Sequence, residues 1–315
     1  MHAKKLLLLF LVLYLIQPQR AQAQEPNGLH EPFKHQLLTK HFSFYSVTDS
    51  TLSKYYGDYL EDFLLCLNAN FVPIPANWHL TFYLYPDLAT LNLEGCARPP
   101  KRGIEGRYVE GRNVVFTYET CGIGTMSHEL MHKIVHENFK DPEPWAKEGI
   151  PTFFENIYGY KRSEGPVFYM GYQSPWRITE LEKQLTHLTV AGIVDPAASV
   201  NPFQESDKRL LATFLFHEGK LFEYFKVARS GEHRGYKTLI EAAFQQPLPL
   251  IEPRFKEFVQ TISTNKVRLL KIPKAEYFHS QAEFDKFERE HRDAFQAKPS
   301  LPEAKMRFTS AGVAN

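Results

Sequence analysis

The segment from Ser127 to Phe139, SHELMHKIVHENF, constrains the fold more than any other part of the chain. It places His128 and His132 four positions apart, with Glu129 directly after the first of them. Residues four apart lie on one face of an α-helix, so both imidazoles can reach a single cation while Glu129 projects alongside. The segment therefore predicts a metal-binding helix with Glu129 next to a metal-bound water. The alternative is an ordinary polar helix.

A catalytic zinc takes three protein ligands and keeps one position for water, so a third ligand is needed. His136 lies about 6 Å further along the helix axis than His132, too far to share the ion, and we expect it to be a polar residue of the helix face. Glu148 is the better candidate, because the turn-rich segment DPEPW lets the chain reverse and Pro151 places Glu148 in the first turn of a second helix. Glu155 returns to the same face, and we expect it to accept the free ring N–H of a ligand histidine.

The chain before the motif is expected to form a small sheet and one helix. Alternating apolar residues predict strands at His41 to Val47 and at His79 to Asp87. The helix between them is expected to begin near Asp49 and Ser50. Glycines before and inside the segment Gly106 to Thr120 indicate a hairpin or a pair of short strands.

From Trp145 onward the pattern is mostly helical, beginning with a short helix in WAKEGIPTFFENIYG. The aromatic-rich loop from Tyr158 to Trp176 either fills the core or lines a cleft, and the core is favoured. Further helices are expected at Ile178 to Leu188, Lys208 to Arg229, Gly235 to Gln245, Glu252 to Ser263 and Ala275 to Phe295. The predicted fold class is α+β, with a small mixed sheet followed by a mostly helical C-terminal part.

The N-terminus indicates export. Lys4 and Lys5 precede an apolar run from Leu6 to Ile16, and Ala21-Gln22-Ala23 is typical of a signal-peptide cleavage site. The run is shorter than the roughly 20 residues of a membrane span, so a membrane anchor is the less favoured alternative. We expect a secreted or periplasmic protein with no membrane contact after cleavage. The expected divisions are a signal peptide over 1–23, an extension over 24–40, the main domain over 41–265, a charged helix over 266–297 and a disordered tail over 298–315.

The charge balance restricts the possible partners, and the cysteine content restricts the possible disulfides and structural metal sites. The chain has 37 Lys and Arg against 36 Asp and Glu, and no cluster of basic and aromatic residues indicates nucleic-acid binding. The cysteines Cys66, Cys96 and Cys121 allow at most one intramolecular disulfide. Cys66 is expected to be a buried thiol, and Cys96 and Cys121 are the better pair if one forms. The sequence has no CxxC, so a structural zinc ribbon finds no support.

HELMH followed by PWAKEGIPTFFE resembles the gluzincin metallopeptidases, whose third zinc ligand is a glutamate. Within them it is most similar to the peptidase-MA-like group related to the M1 aminopeptidases. The resemblance spans roughly residues 42–263 and is most specific in the two zinc-binding blocks. It implies a zincin-like fold, with His128, His132 and Glu148 as ligands of Zn2+ and Glu129 as general base and later proton donor.

The same resemblance implies a mode of substrate binding. The strand Asn113 to Tyr118 would be the edge along which an extended peptide pairs through main-chain hydrogen bonds. Related enzymes use a Tyr or His to stabilise the oxyanion, and the conceivable residues here are Tyr158, Tyr160, Tyr169, Tyr172 and His217. The Gly-x-Met-Glu-Asn signature of M1 exopeptidases is missing, so trimming of peptide N-termini is not implied.

The expected function is therefore that of an exported zinc-dependent peptidase acting on peptides or proteins. A zinc-bound water attacks the peptide bond, while Glu129 takes its proton and passes it to the leaving amine. The alternative is a catalytically inactive gluzincin-like binding protein. Retention of Glu129 argues against it, because a binding protein has no chemical need for a base beside the metal.

Overall fold

The structure, a computed structural model, describes residues 33–92, 105–181, 185–195, 205–295, 307–309 and 312–314. The predicted signal peptide lies outside the described residues, and so does Cys96, so the Cys96–Cys121 pairing stays a prediction. Within the described ranges, no helix is both long and apolar enough to cross a bilayer. The architecture is mixed α and β, with two small sheets packed among helices.

The first sheet comes from the N-terminal part of the chain. Its strands are β1 (His35–Leu38), β2 (Phe42–Ser46), β3 (Leu80–Tyr85), β4 (Gly106–Val109) and β5 (Val114–Tyr118). Their spatial order is β1-β2-β3-β5-β4, in which β2, β3 and β5 are parallel and the outer strands β1 and β4 are antiparallel to their neighbours. The predicted strands and hairpin are confirmed. β1 lies within the predicted N-terminal extension, so the ordered sheet starts before residue 41.

The prediction that residues 113–118 form a sheet edge is wrong. β5 pairs with β3 on one side and with β4 on the other, so its main-chain groups are used on both sides. The edge strand is β4, which is only partly buried. The order of strands along the chain does not give their order in space, because a hairpin can insert its second strand next to an earlier one.

Four helices accompany this sheet: α1 (Thr51–Asn70), α2 (Leu88–Thr90), α3 (Gly122–Asn138) and α4 (Ala146–Phe153). α3 contains the whole HELMH motif and buries Met126, Leu130 and Ile134, spaced four apart, in the main core. α4 packs closely on a later helix, since a Cβ on Gly149 would lie 2.7 Å from Lys208 O. The motif helix and the helix of Glu148 are therefore both fixed by the core.

The C-terminal half is mostly helical, as predicted, but it also builds a second sheet. Its helices are α5 (Pro175–Leu181), a 3-10 helix (Leu185–His187), α6 (Val190–Val194), α7 (Glu205–His217), α8 (Leu221–Ser230), α9 (Leu239–Phe244), α10 (Leu248–Thr264), α11 (Lys266–Leu269), α12 (Gln281–Glu290) and α13 (Arg292–Phe295). The sheet has the order β10-β9-β7-β6-β8, from β6 (Tyr158–Tyr160), β7 (Val167–Tyr169), β8 (Glu276–Phe278), β9 (Arg307–Thr309) and β10 (Gly312–Ala314).

Three predictions for this half are wrong. The helix expected over 208–229 is divided into α7 and α8, because Gly219 adopts a left-handed φ of 65° after the end of α7. The helix expected over 275–295 is replaced by β8, α12 and α13, because β8 pairs with β6 and the Ser280 side chain caps α12. Of the tail expected to be disordered over 298–315, the described residues 307–309 and 312–314 form β9 and β10, which pair with each other and extend the sheet through β7.

The main hydrophobic core joins both halves, and a smaller cluster contains Tyr85, Leu91 and Phe116. A single cluster of buried residues runs from Phe42 to Phe295. The aromatic segment 158–176 belongs mostly to this core, as favoured, since Tyr158 and Phe168 are 0 % exposed. Cys66 is also fully buried, and burial raises the pKa of its thiol. The site elements α3 and α4 are thus embedded in the same core as the C-terminal helices.

Candidate metal centre

The two motif histidines and Glu148 converge on one point. His128 Nε2 lies 2.9 Å from His132 Nε2. Glu148 Oε2, from the first turn of α4, lies 3.7 Å from His128 Nε2 and 3.6 Å from His132 Nε2. Tetrahedral ligands about 2.0 to 2.1 Å from a zinc ion lie about 3.3 to 3.4 Å from one another. The three atoms therefore enclose a space of the size that one zinc ion requires.

Glu129 lies beside this triangle and is held by the sheet. One ligand atom from each of His128, Glu129 and His132 falls within 4.8 Å of the others. Glu129 Oε2, however, accepts the backbone N–H of Tyr108 on β4 at 2.6 Å. Burial raises the pKa of this carboxyl to about 7, although the charge of His128 acts in the opposite direction. A carboxyl with a pKa near neutrality can both take up and release a proton, as a general base must.

Each imidazole is also held by a hydrogen bond to a residue other than the three of the triangle. His128 Nδ1 donates to Glu155 Oε1 at 2.9 Å, which leaves its Nε2 for a metal. His132 makes a hydrogen bond to the backbone of Lys147. Such contacts fix the tautomer and the ring plane of ligand histidines in metalloproteins. Glu155 thus makes the contact that its predicted supporting role requires.

Arg177 joins this arrangement, although no sequence pattern points to it. Its Nη2 donates to Glu155 Oε1 at 2.8 Å and also lies 2.7 Å from Glu205 Oε2. Arg177 is 5 % exposed, and Trp176 stacks on it with the ring centroid 3.6 Å from the guanidinium carbon. A chain of contacts therefore leads from Arg177 through Glu155 to His128. No local pattern indicates it, because only the packing of α5 brings Arg177 to Glu155.

The pKa values of the centre are set by burial and by mutual charge. Burial lowers the pKa of His128, but the hydrogen bond and charge of Glu155 outweigh it and raise that pKa to about 9. Burial lowers the pKa of His132 to about 3, and the charge of His128 adds to the effect. Burial raises the pKa of Glu148. At neutral pH the metal-free protein therefore carries a proton on His128, which a metal ion must displace.

Two glycines allow the backbone to approach these side chains. A Cβ on Gly106 of β4 would lie 2.6 Å from Glu129 Oε1. A Cβ on Gly124 of α3 would lie 2.5 Å from the backbone oxygen of Glu155. Both distances are shorter than real Cβ contacts, so Gly106 sets how closely β4 covers Glu129 and Gly124 sets the position of Glu155.

His136 lies outside the centre, on the exposed face of α3. Its Nε2 is 2.6 Å from Glu110 Oε1, in the turn between β4 and β5. Both side chains are largely exposed, at 44 % for His136 and 70 % for Glu110. The contact ties the tip of the hairpin to the motif helix.

The five residues conceivable as oxyanion stabilisers pack against other parts of the core. Their contacts are Tyr158 OH with Pro273 O, Tyr160 and Tyr169 with Phe284, Tyr172 with Tyr158, and His217 with Phe258. These contacts belong to the second sheet and to the helices around it. They assign the oxyanion role to none of the five.

Comparison with known proteins does not place the chain in a family. No protein-family model matches the sequence, and a search of curated proteins found no match.

Proposed function

We propose that the protein is an exported zinc-dependent peptidase with a zincin-like centre of the gluzincin type. The observation that carries the proposal is the triangle of His128 Nε2, His132 Nε2 and Glu148 Oε2. Two imidazoles and one carboxylate form a donor set of catalytic zinc sites and leave a fourth position for water. The resemblance of HELMH and PWAKEGIPTFFE to the gluzincins supports the same ligands.

Glu129 is the general base in this proposal. Bound zinc supplies Lewis-acid activation of a water molecule and of the peptide carbonyl. Tyr108 N–H holds Oε2 of Glu129, so the second oxygen accepts the proton of the attacking water and then delivers it to the nitrogen of the leaving amine.

We infer that the peptide substrate pairs with β4. Tyr108 N–H points towards Glu129 and away from β5, so the outward main-chain groups of β4 are those of Gly106 and Tyr108. Because Glu129 already accepts the Tyr108 N–H, the Tyr108 carbonyl and the main-chain groups of Gly106 are left for a peptide. A peptide strand added at this edge runs directly past Glu129. We therefore propose β4 as the pairing strand, in place of β5, which the sequence suggested.

The alternative of an inactive binding protein is less favoured. Glu129 is 4 % exposed, and its raised pKa shows that burial disfavours its charged form. Burying a carboxylate is unfavourable and contributes nothing to a binding cleft, whereas hydrolysis requires a base at this position beside the metal.

Two variants and one control test the proposal. Glu129→Gln should retain one zinc per chain and lower peptide hydrolysis by about 10²- to 10⁴-fold, because it removes only the base. Glu148→Ala should lose both zinc and activity, because it removes a ligand. His136→Ala, on the same helix but outside the triangle, should keep both. Metal analysis and digestion of a peptide library with and without a chelator give the answer; Glu148→Ala with full zinc, or digestion insensitive to chelation, would refute the proposal.

A further inference from the structure

A cavity lies beside α3, away from the triangle of His128, His132 and Glu148. Its volume is about 440 Å³, and it shares no lining residue with the triangle of His128, His132 and Glu148. Its lining residues Lys133 and Glu137 project from α3 about 140° around the helix from the two histidines. Cavities of about 300 to 1,000 Å³ accommodate small ligands. The cavity is therefore large enough to be a site of its own.

The two charged side chains of the cavity neutralise each other. Lys133 is 2 % exposed and donates to Glu137 Oε1 and, at 2.8 Å, to Asn113 Oδ1. Its Nζ lies 5.0 Å from the ring centroid of Trp78, whose Nε1 donates to Glu137 Oε2 at 2.7 Å. The ammonium group and both carboxylate oxygens thus already have partners within the protein.

This pairing disfavours charged ligands. An anion approaching Lys133 would also approach the carboxylate of Glu137, and a cation approaching Glu137 would meet the ammonium of Lys133. Separating the pair would leave a buried charge without a partner, which is strongly unfavourable. A wholly apolar ligand would instead remove water from these polar groups without replacing its hydrogen bonds.

The remaining polar side chains suit a ligand rich in hydroxyl groups. Asn138 Nδ2 donates to Ile134 O, which leaves Asn138 Oδ1 as an acceptor for a ligand. Asn113 Oδ1 accepts from Lys133, which leaves Asn113 Nδ2 as a donor. Asn77 adds a side-chain amide, and the exposed His79, whose Nε2 is hydrogen-bonded to Ser43 Oγ at 2.9 Å, adds its Nδ1. A hydroxyl group both donates and accepts, and can therefore satisfy a mixed set of this kind. We propose that this cavity is a binding site for a neutral saccharide.

Ligand-observed NMR with methyl glycosides of glucose, galactose, mannose and N-acetylglucosamine tests the site. We expect at least one glycoside to bind with a Kd of about 10 mM or tighter, whereas acetate and ethylammonium do not compete for it. Binding should persist in Glu129→Gln and in the presence of a chelator, so its outcome is independent of the peptidase proposal. Absence of binding by all four glycosides, or equal competition by either ion, would overturn the inference.

Variants of the cavity locate the binding. Asn138→Ala should weaken glycoside binding at least tenfold, and Asn77→Ala, at an exposed turn, provides a second variant if Asn138→Ala does not fold. Gln260→Ala removes an exposed amide from α10 and should leave the affinity within twofold. Unchanged affinity in folded cavity variants contradicts the proposed location and with it the inference.

Discussion

Among single residues, side chains outside the triangle of His128, His132 and Glu148 would support the proposed metal centre. Arg177 is the main example, because it holds Glu155, which in turn holds His128. Replacing Arg177 would leave the Glu155 carboxylate, whose pKa Arg177 and His128 together hold at about 2, without one of its two partners. Loss of such a supporting contact commonly weakens metal binding by 10- to 100-fold.

We therefore predict that Arg177→Met weakens zinc binding by about 10- to 100-fold and that Arg177→Lys weakens it less. Competition with a chromophoric chelator measures both affinities. Arg254→Met is a matched control, since Arg254 pairs with Glu218 in a partly exposed ion pair remote from the centre. Equal zinc affinity in the wild type and Arg177→Met would show that Arg177 does not support the centre.

Asp207 affects the free energy of unfolding and not the affinity for a metal. The residue is 5 % exposed, and burial raises the pKa of its carboxyl from 3.8 to about 6, although the backbone N–H of Lys208 lowers it in part. Between these pH values the folded chain keeps a proton that the unfolded chain has lost. The free energy of unfolding therefore falls as the pH rises from 3.8 to about 6 and stays lowered above it.

The corresponding prediction is that Asp207→Asn raises the free energy of unfolding at pH 7 by on the order of 1 to 3 kcal/mol, at 1.36 kcal/mol per pKa unit. The gain should disappear below the unfolded-state pKa, where the carboxyl is neutral in both states. Chemical denaturation at the two pH values measures it, with the exposed Asp293→Asn as control. A lower free energy of unfolding for Asp207→Asn than for the wild type at pH 7 would contradict a raised pKa of the buried Asp207 carboxyl.

The sequence allowed the convergence of His128, His132 and Glu148 and the contact of Glu155 to be predicted, but not the contributions of Arg177 and Tyr108. The spacing of His128 and His132 is a local property of a helix, and DPEPW predicts the turn that brings Glu148 close to both histidines. Arg177 and Tyr108 contribute through the packing of other elements, and no spacing in the chain reports that packing.

At the scale of elements, β4 decides how a substrate would lie. In an antiparallel pair, alternate residues direct their main-chain groups outward, and in β4 these are Gly106 and Tyr108. A bound peptide should accordingly use every second backbone amide to pair with β4. The next amide along the peptide points away and contributes no hydrogen bond to the strand.

N-methylation of the substrate tests this pairing. We predict that methylating an amide that faces β4 lowers kcat/KM by about 5- to 10-fold, the worth of roughly 1 kcal/mol of hydrogen bonding. Methylating the neighbouring amide should have little effect. A series of peptides methylated at successive positions should show this alternation, and a uniform response along the series would exclude strand pairing.

The elements themselves were predictable where a long or strongly periodic segment specified them. β2, β3, α1 and α3 follow from apolar periodicity, and the glycines around β4 and β5 indicate their hairpin. β6 to β10 have three residues each, too few to show a period, and β8 is specified by its partner β6, which is far away in the chain. The order of the strands in space is likewise a property of tertiary packing.

At the scale of the whole molecule, the metal centre and the fold should stabilise each other. α3 and α4 belong to the one core that also contains the C-terminal helices. A ligand that binds the native state alone stabilises it, by about 2.7 kcal/mol at a free concentration 100 times its Kd. For a chain of this size, that corresponds to a rise in Tm of several degrees.

We predict that the wild-type protein melts several degrees higher with excess zinc than with a chelator, whereas Glu148→Ala melts at the same temperature under both conditions. Differential scanning calorimetry gives the two Tm values. Calcium at the same concentration is the control for unspecific effects, since a site of two imidazoles and one carboxylate suits zinc far better. Equal Tm values in the wild type would mean that no native zinc site couples to folding.

X-ray absorption at the zinc K-edge tests most directly whether His128, His132 and Glu148 bind one zinc ion. The measurement uses protein loaded with one zinc per chain. The predicted coordination shell has two imidazole nitrogens at about 2.0 to 2.1 Å and oxygen ligands at about 2.0 to 2.2 Å, from Glu148 and water. Glu148→Ala should fail to retain the ion. A sulfur ligand at about 2.3 Å, or an unchanged spectrum in Glu148→Ala, would contradict a zinc ion held by His128, His132 and Glu148.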